Sequence, residues 1–443
     1  MKELQSLLSN FYILLFSTQS ELVKPNLIKE NELYNRTIVN LDMEFVEWLV
    51  GFSEAEGNFL IRSRKTSEGV IRGFEFLFRI ALHLDDLETL KFIKHNLGCG
   101  VIKKDRNTYV LIVYKLSDIE LKIFPVFDLF HLNSTKYLNY LSFKEAFYMY
   151  KNRTPKKSEN VYFNYITEIL KLKNSMNDKR ICFSMPNNHR VRITKNYLLG
   201  FIEGDGSFYL YRNNFYTYIS IGMESNSQYL LENIREFLLN QLDSDSRVYA
   251  EHSKLVTIVK KYSTTSKKKD FSIIQFYQID FINNIIIPMF DHLTFHSKKY
   301  KDFLDFKLLV TLIYQGKHLT NEGKEIIISI SNRMNNNRLS TNFHSKAVLL
   351  DEEKIKEILE LEPLIEIDNQ GRVRDKKNNK YIRKVYIIET FKSIQLKFPS
   401  AIACSEFFNL PYYFIIARLN DGKPFNTSKG EIKLKRTPIF KKK

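Results

Sequence analysis

The chain has 443 residues, and a hydrophobic content of 44% is enough to build buried cores, which excludes a globally disordered protein. Lysine and arginine number 67 against 50 acidic residues, and this formal charge of +17 favours a polyanionic partner such as a nucleic acid. The three cysteines lie far apart, which excludes both a disulfide framework and a cysteine-rich zinc site.

The first 40 residues show no evident signal for export or import. Their longest apolar run, at 11–16, is much shorter than the roughly 20 residues of a membrane span. The start, MKELQ, carries an acid, which is unlike a secretory signal or a transit peptide. We therefore interpret residues 1–40 as an N-terminal extension and expect no association with a membrane.

The chain contains one internal repeat, which begins with two similar segments. Residues 49–59 read LVGFSEAEGNF, and residues 198–208 read LLGFIEGDGSF. Their acids Glu56 and Asp205 are 149 positions apart (205 − 56), which indicates a duplicated domain rather than a short-period solenoid. After each segment the sequence predicts strands with alternating apolar residues, then an amphipathic helix, then further strands.

Each copy next reaches a helix entry in which a lysine follows a proline by eleven positions. Lys136 follows Pro125 in this way, and Lys299 follows Pro288. The second copy carries a basic insertion at about 260–270. We expect the chain to divide into an N-terminal extension (1–40), a first domain (41–150), a linker (151–190), a second domain with a C-terminal helical extension (191–345) and a C-terminal region (346–443).

The repeated segments predict two helices that can pack closely. Gly51 and Ala55 in the first, like Gly200 and Gly204 in the second, share one helix face, where small residues let two backbones approach. The acids come last, just before a glycine that ends each helix. A helix C-terminus already carries partial negative charge, so two such ends with two acids call for a divalent cation. A chance acid-glycine ending is the alternative, and its duplication argues against it.

Residues 49–57 and 198–206 resemble the paired signatures of the LAGLIDADG homing endonucleases and their maturase relatives, in the single-chain, two-repeat form. The resemblance implies an α+β fold, a pseudo-twofold pair of αββαββα domains with saddle-shaped antiparallel sheets over DNA. It implies that Glu56 and Asp205 bind Mg²⁺ or Mn²⁺, and that both strands of a long duplex site are cut across the minor groove, leaving short 3′ overhangs. A monomer in a fungal-type mitochondrion, encoded in the organelle, is also implied.

The resemblance assigns further roles at the centre of the site. Lys136 and Lys299 match the family's basic active-site residue, with Lys298 as a one-residue alternative for the second copy. His83 matches a polar residue near the attacking water, whereas the second copy has Met223 there. Glu56 departs from the commoner aspartate, so the metal geometry could differ between the two sites, and whether both strands are cut equally stays open.

The strands that follow each motif are the expected DNA-reading ribbons, because a two-stranded ribbon fits the major groove. Arginine pairs well with guanine and asparagine with adenine. The alternative for any one residue is a solvent-facing or phosphate-binding side chain. The candidate DNA contacts are Arg62, Arg64, Lys65, Arg72, Arg79, His83, Tyr209, Tyr211, Arg212 and Asn213.

The C-terminal region predicts an exposed charged helix at 349–362 and then a helix-turn-helix module at about 382–436. Residues 400–408 would form its first helix, 409–411 the turn and 412–419 the recognition helix, and a basic tail with KLKR at 433–436 would follow. This stretch resembles the nuclease-associated modular domain type 1. A small helical cap that packs on the rest of the protein is the alternative.

Three functions remain open on sequence alone. The first is a metal-dependent, site-specific double-strand DNA endonuclease. The second is a maturase that binds the RNA of a host intron and assists splicing, with or without DNA cleavage. The third is a DNA-binding regulator that has lost catalysis.

Overall fold

A computed structural model of the protein describes residues 41–153, 159–252, 255–262, 270–342 and 351–440. The N-terminal extension, most of the predicted insertion and the terminal KKK lie outside the described residues. None of the helices in the described ranges is long and apolar enough to cross a membrane.

The first copy consists of a helix, a four-stranded antiparallel sheet interrupted by a second helix, and a closing helix. Its sheet has the order β1-β2-β4-β3, and phenylalanines on the core-facing side of β1 and β2 pack against the closing helix, where Phe59 and Phe76 both contact Phe143. The elements are α1 (Met43–Glu56), β1 (Gly57–Lys65), β2 (Ile71–His83), α2 (Leu87–Leu97), β3 (Val101–Asp105), β4 (Thr108–Val113) and α3 (Lys136–Lys151).

The second copy repeats this arrangement, and its sheet has the equivalent order β5-β6-β8-β7. The two copies bury one continuous hydrophobic core. The predicted α+β fold, a pair of similar domains built on antiparallel sheets, is confirmed. The elements between the copies and in the second copy are α4 (Glu159–Asn174), α5 (Lys195–Asp205), β5 (Gly206–Tyr211), β6 (Tyr216–Glu224), α6 (Gln228–Leu239), α7 (Ser244–His252), β7 (Val256–Lys261), β8 (Phe271–Phe276), α8 (Lys299–Tyr314) and α9 (Asn321–Ser331).

The two helix entries share an unusual backbone feature. Each contains one π-helical turn, Ile119–Ile123 in the first copy and Ile282–Ile286 in the second. A proline then opens the short helix that follows, Phe124–Leu129 or Ile287–Asp291, where a missing N–H costs nothing. The eleven-residue spacing seen in the sequence therefore places Lys136 and Lys299 at the first positions of α3 and α8.

The repeat extends further than the sequence indicated. Helix α4, in the segment predicted as a linker, packs on α3, and α9 packs on α8 in the same way. A residue with positive φ follows each helix, Asn177 (φ 53°) or Asn335 (φ 55°). The Asn177 side chain donates to the carbonyl of Phe59 (3.1 Å) and the Asn335 side chain to that of Phe208 (2.7 Å). Because Phe59 and Phe208 are equivalent (208 − 59 = 149), most of the expected linker is a last element of the first copy.

The C-terminal region forms two small sheets and a helix-turn-helix. Ser400 caps the first helix, Asn409 takes the left-handed conformation in the turn, and Gly422 ends the second helix. The sheets have the orders β11-β10-β9 and β13-β12-β15-β14. The elements are α10 (Glu352–Glu360), β9 (Ile365–Ile367), β10 (Arg372–Asp375), β11 (Tyr381–Lys384), β12 (Tyr386–Lys392), β13 (Lys397–Phe398), α11 (Ala401–Phe408), α12 (Tyr412–Asp421), β14 (Phe425–Thr427) and β15 (Gly430–Pro438).

Two details of this region differ from the prediction or were not foreseen. The KLKR stretch is not a tail but part of β15, where Arg436 is buried and donates to the carbonyl of Leu419 (3.0 Å). Arg383 forms a two-pronged ion pair with the buried Asp280 of the second copy (2.7 and 3.0 Å). The C-terminal region is therefore anchored on the second copy.

Candidate active site at the crossing of two helices

The motif helices α1 and α5 cross with their backbones in contact. A β-carbon added at Gly51 would lie 2.0 Å from the carbonyl oxygen of Tyr197, and one added at Gly200 would lie 2.1 Å from that of Trp48. One added at Gly204 would lie 2.2 Å from the β-carbon of Ala55. The predicted close approach of the small-residue faces is therefore confirmed, and it brings the C-terminal ends of both helices together.

The two motif acids meet where these helices end. Burial, and then the charge of Asp205, raise the pKa of Glu56 to about 7. Burial also raises the pKa of Asp205, while Lys136 and Lys299 lower it. Two buried carboxyl groups with raised pKa values, beside two helix C-termini, form a site that favours positive charge.

The predicted lysines stand at this same point. The Nζ atom of Lys136 donates to the carbonyl oxygens of Ser53 (3.0 Å) and Ala55 (3.1 Å), in the last turn of α1. The Nζ atom of Lys299 donates to the equivalent end of α5, at Gly204 and Gly206. Burial lowers the pKa of both lysines, and the surrounding carboxylates oppose this shift. Each lysine thus places its charge where carbonyls without helical partners gather.

The structure also distinguishes the two candidate lysines of the second copy. Lys298 forms an ion pair with Asp86 of the first copy (2.8 Å), whereas Lys299 points to the motif helix. At the equivalent contact on the other side, the hydroxyls of Thr135 and Ser227 lie 2.9 Å apart. The surroundings of the two lysines are therefore not identical, because an ion pair joins the copies beside Lys299, whereas two hydroxyls make the equivalent contact beside Lys136.

Sequence reasoning missed a second pair of acids, Glu54 and Glu203, which are also 149 positions apart (203 − 54). Glu54 accepts a hydrogen bond from the backbone N–H of Ser134 (3.1 Å), just before α3. Glu203 accepts one from the backbone N–H of Ser297 (2.7 Å), just before α8. Burial raises the pKa of both acids. The signal in the sequence that could have identified them is that an acid occurs at the same position of both motifs.

The oxygen ligands that the motif acids offer suit a hard divalent cation whose remaining ligands come from water and substrate. No group of three or more His, Cys, Asp or Glu side chains gathers in the described ranges, so the protein offers the pair Glu56 and Asp205. Mg²⁺ is commonly held by one or two carboxylates together with water and phosphate oxygens. The buried, mutually repelling carboxylates fit such an ion.

The outer face of the first sheet, on the side away from the core, carries cationic side chains. Arg62 and Arg64 alternate with core residues along β1, and Arg79 lies on the same face, opposite Asn58. Arg64 also pairs with Glu75 across the strands (3.1 Å). Lys65 and Arg72 lie at the hairpin end, where the strand register shifts, and both are exposed.

The outer face of the second sheet is aromatic instead. Tyr211 faces Tyr216 across the strands, and Tyr209 faces Tyr218 with their rings stacked at 5.2 Å. Arg212 and Asn213 lie in the exposed turn between β5 and β6, where Arg212 donates to Asn332 (2.5 Å). The proposed ribbon residues of the second copy are therefore clustered, but their chemistry differs from that of the first copy.

His83 occupies a different environment from the one expected of a DNA contact. One ring nitrogen lies 2.8 Å from the hydroxyl of Thr341, and the other accepts from the backbone N–H of Asp85 (3.2 Å). Both ring nitrogens are thus used within the protein. The strand register also corrects its partner in the repeat. Gly57 faces Ile80 and Gly206 faces Ile221, an offset of 141 (221 − 80), so His83 corresponds to Glu224 and not to Met223.

Comparisons with known proteins agree with this geometry. Residues 49–147 and 198–310 match the family model described as LAGLIDADG endonuclease. A "Probable intron-encoded endonuclease Cox1-I1b" of Schizosaccharomyces pombe is 32% identical over 232 residues, 51% of this chain and 56% of that protein. An "Uncharacterized mitochondrial protein RF1" of Saccharomyces cerevisiae is 24% identical over 76% of this chain and 73% of its own length. The chain thus spans little more than half of the first of these relatives.

Solved structures share the fold. I-SmaMI, bound to an uncleaved DNA target in the presence of calcium ions, has a TM-score of 0.53 at 22% identity and covers 65% of this chain and 98% of its own. The LAGLIDADG homing endonuclease I-GzeII, in complex with its DNA target, has a TM-score of 0.55 at 24% identity and covers 67% and 99%. With both motifs matched and both motif helices crossing, the two copies, at residues 49–147 and 198–310, belong to the LAGLIDADG endonuclease family.

Proposed function

We propose that the protein is a metal-dependent endonuclease that recognises a long, asymmetric DNA site and hydrolyses one phosphodiester in each strand. The observation that carries the proposal is the convergence of Glu56 and Asp205 at the crossing of the motif helices, with Lys136 and Lys299 beside them. Intron-encoded endonucleases among the relatives support the same activity.

The site residues divide the chemistry between them. Glu56 and Asp205 would hold Mg²⁺ or Mn²⁺, and such an ion supplies a bound water of lowered pKa and positive charge next to a phosphate. Lys136 and Lys299 offset the partial negative charge of the helix ends and stabilise negative charge that develops on the phosphate. The DNA backbone would supply the remaining oxygen ligands.

The outer faces of the two sheets are the proposed DNA-binding surface. Arg62, Arg64 and Arg79 offer charge and guanine-reading donors on the first sheet. The exposed tyrosines of β5 and β6 offer apolar contact and hydroxyl donors on the second. The helix-turn-helix, with Tyr412 and Tyr413 exposed at the start of α12, would extend the contact along the flanking duplex.

The test begins with a duplex selected from a randomised library for binding to the protein in EDTA. We expect the addition of Mg²⁺ to cut both strands of this duplex, and Glu56→Gln and Asp205→Asn to remove cleavage while binding remains. Glu236→Gln and Asp291→Asn are matched controls, because they make the same chemical changes at positions in ion pairs outside the site. Cutting that persists in the double variant would show that these acids are not the metal ligands.

The same variants separate the other functions. A maturase would bind the RNA of its host intron and would restore splicing whether or not Glu56 and Asp205 are intact. A regulator without catalysis would bind the selected duplex and leave both strands whole in Mg²⁺. Retention of both acids and both lysines in one buried centre favours the nuclease. The mitochondrial and fungal relatives support a mitochondrial location, and the paired motifs in one chain support action as a monomer.

A further inference from the structure

We propose that Glu54 and Glu203 are positioning residues for the two active-site lysines, and that Trp48 and Tyr197 tie each of these acids to the opposite copy. This inference rests on the proposed endonuclease function. The two copies would then depend on each other, because a side chain on each motif helix holds the acid that positions the lysine of the other copy.

In the first copy, Glu54 holds the chain segment that leads into α3. Its carboxylate accepts hydrogen bonds from the backbone N–H groups of Asn133 and Ser134 and from the Ser134 hydroxyl. The Ser134 hydroxyl oxygen in turn accepts from the backbone N–H of Lys136 (3.1 Å). Glu54 is therefore two hydrogen bonds away from the backbone of the lysine, and only two residues before the motif acid Glu56.

The second copy repeats these bonds. Glu203 accepts from the backbone N–H groups of His296 (2.9 Å) and Ser297 (2.7 Å) and from the Ser297 hydroxyl (2.7 Å). The backbone N–H of Lys299 donates to the Ser297 hydroxyl oxygen (3.3 Å). In each printed hydrogen bond of these two buried acids, the carboxylate oxygen is the acceptor and the protein supplies the donor.

One further donor reaches each acid from the other copy. The indole Nε1 of Trp48, on α1, donates to Glu203 (2.6 Å), and the hydroxyl of Tyr197, on α5, donates to Glu54 (3.2 Å). Trp48 and Tyr197 are equivalent in the repeat (197 − 48 = 149). The two bonds thus cross the approximate twofold axis, with different side chains making the same connection.

The crossed bonds predict a defect confined to one centre. Loss of a single donor leaves a buried carboxylate oxygen partly unsatisfied, which is costly, and loosens one segment before one lysine. A small displacement of a catalytic group lowers the rate strongly. Trp48→Phe removes the donor to Glu203 and so acts on Lys299, whereas Tyr197→Phe removes the donor to Glu54 and so acts on Lys136. Both changes keep a ring in the core.

The experiment measures nicking of each strand separately, on a selected duplex that carries a different end label on each strand. We expect Trp48→Phe to slow one strand about tenfold and Tyr197→Phe to slow the opposite strand by a similar factor. Tyr249→Phe is the matched control, because it removes a buried hydroxyl donor (to the carbonyl of Lys384, 3.0 Å) far along the chain from both motifs. The control should slow neither strand.

A second measurement does not require cleavage. Amide hydrogen exchange should rise at 133–136 in Tyr197→Phe and at 296–299 in Trp48→Phe, and each variant should leave the other segment unchanged. Equal slowing of both strands, or exchange that rises in both segments together, would overturn the crossed assignment. If the wild-type protein cuts neither strand while the two variants still show the segment-specific exchange, the endonuclease is refuted and the crossed support is retained.

Discussion

The glycine at the helix crossing gives the sharpest test of the packing. Gly200→Ala would normally stabilise a helix by up to about 1 kcal/mol, since glycine is a poor helix former. Here the new β-carbon would lie 2.1 Å from the carbonyl oxygen of Trp48 and 2.8 Å from the backbone nitrogen of Phe52. Non-bonded heavy atoms prefer about 3.5–4.0 Å, so the helices must separate by more than an ångström. Overpacking of this kind costs about 3 kcal/mol, which leaves a net loss of about 2 kcal/mol.

Trp48 provides the assay, because it is the protein's one tryptophan and it stacks on Phe52 within this interface. Urea unfolding followed by its fluorescence should show the midpoint of Gly200→Ala lowered by about 1 M. Gly73→Ala is the control, since its β-carbon would meet the side chain of Tyr150, with the hydroxyl at 3.3 Å and a ring carbon at 3.9 Å, and no backbone atom within 4 Å. A Gly200→Ala protein whose urea midpoint equals or exceeds that of the control would refute the close backbone contact.

Three other measurements follow from the structure. Burial and a neighbouring carboxylate raise the pKa of Glu56 to about 7, so its ionisation destabilises the folded protein as the pH rises from about 4.5 to 7. In the absence of metal, Glu56→Gln should therefore unfold at a higher urea concentration than the wild-type protein at pH 8. This difference should disappear near pH 4.5. Arg383→Ala leaves Asp280, whose side chain is 3% exposed, without its ion pair and should lower stability by about 3–5 kcal/mol, seen as faster proteolysis of the C-terminal region. Substitution of the exposed Lys354 is the control and should lower stability by at most about 1 kcal/mol. On a selected duplex, Arg62→Ala should reduce the slope of log affinity against log salt by about one, and an unchanged slope would show that this cation contacts no phosphate.

The parts of the site that could be predicted from sequence are those set by short-range rules. Glycine spacing on one helix face, an acid before a terminal glycine and a fixed proline-to-lysine distance are all local, and they located the crossing, Glu56, Asp205 and both lysines. The helix-turn-helix boundaries were predictable for the same reason, since Ser400 is a standard N-cap residue and Gly422 a standard terminator.

Features that depend on distant partners were not predictable. Glu54 and Glu203 look like ordinary helix acids until the segments before α3 and α8 come within hydrogen-bond distance. The equivalence of the last helices of the two copies escaped detection, because the chemistry they share is limited to a few residues around Asn177 and Asn335 within diverged surroundings. The partner of His83 was misplaced by one residue because turn lengths differ between the copies, and only strand pairing fixes the register.

The backbone contact at Gly51 and Gly200 separates the spacing of the two motif acids from the identity of the residues on the sheet surfaces. The interval between the two motif acids is set by the thickness of main chain, so side-chain substitution elsewhere leaves it unchanged. Residues on the outer faces of the sheets, such as Arg62 and Tyr211, are exposed and lie outside that contact. In the proposed endonuclease, new target preferences could therefore arise on these strands one substitution at a time, while the spacing between the two cuts would stay constant.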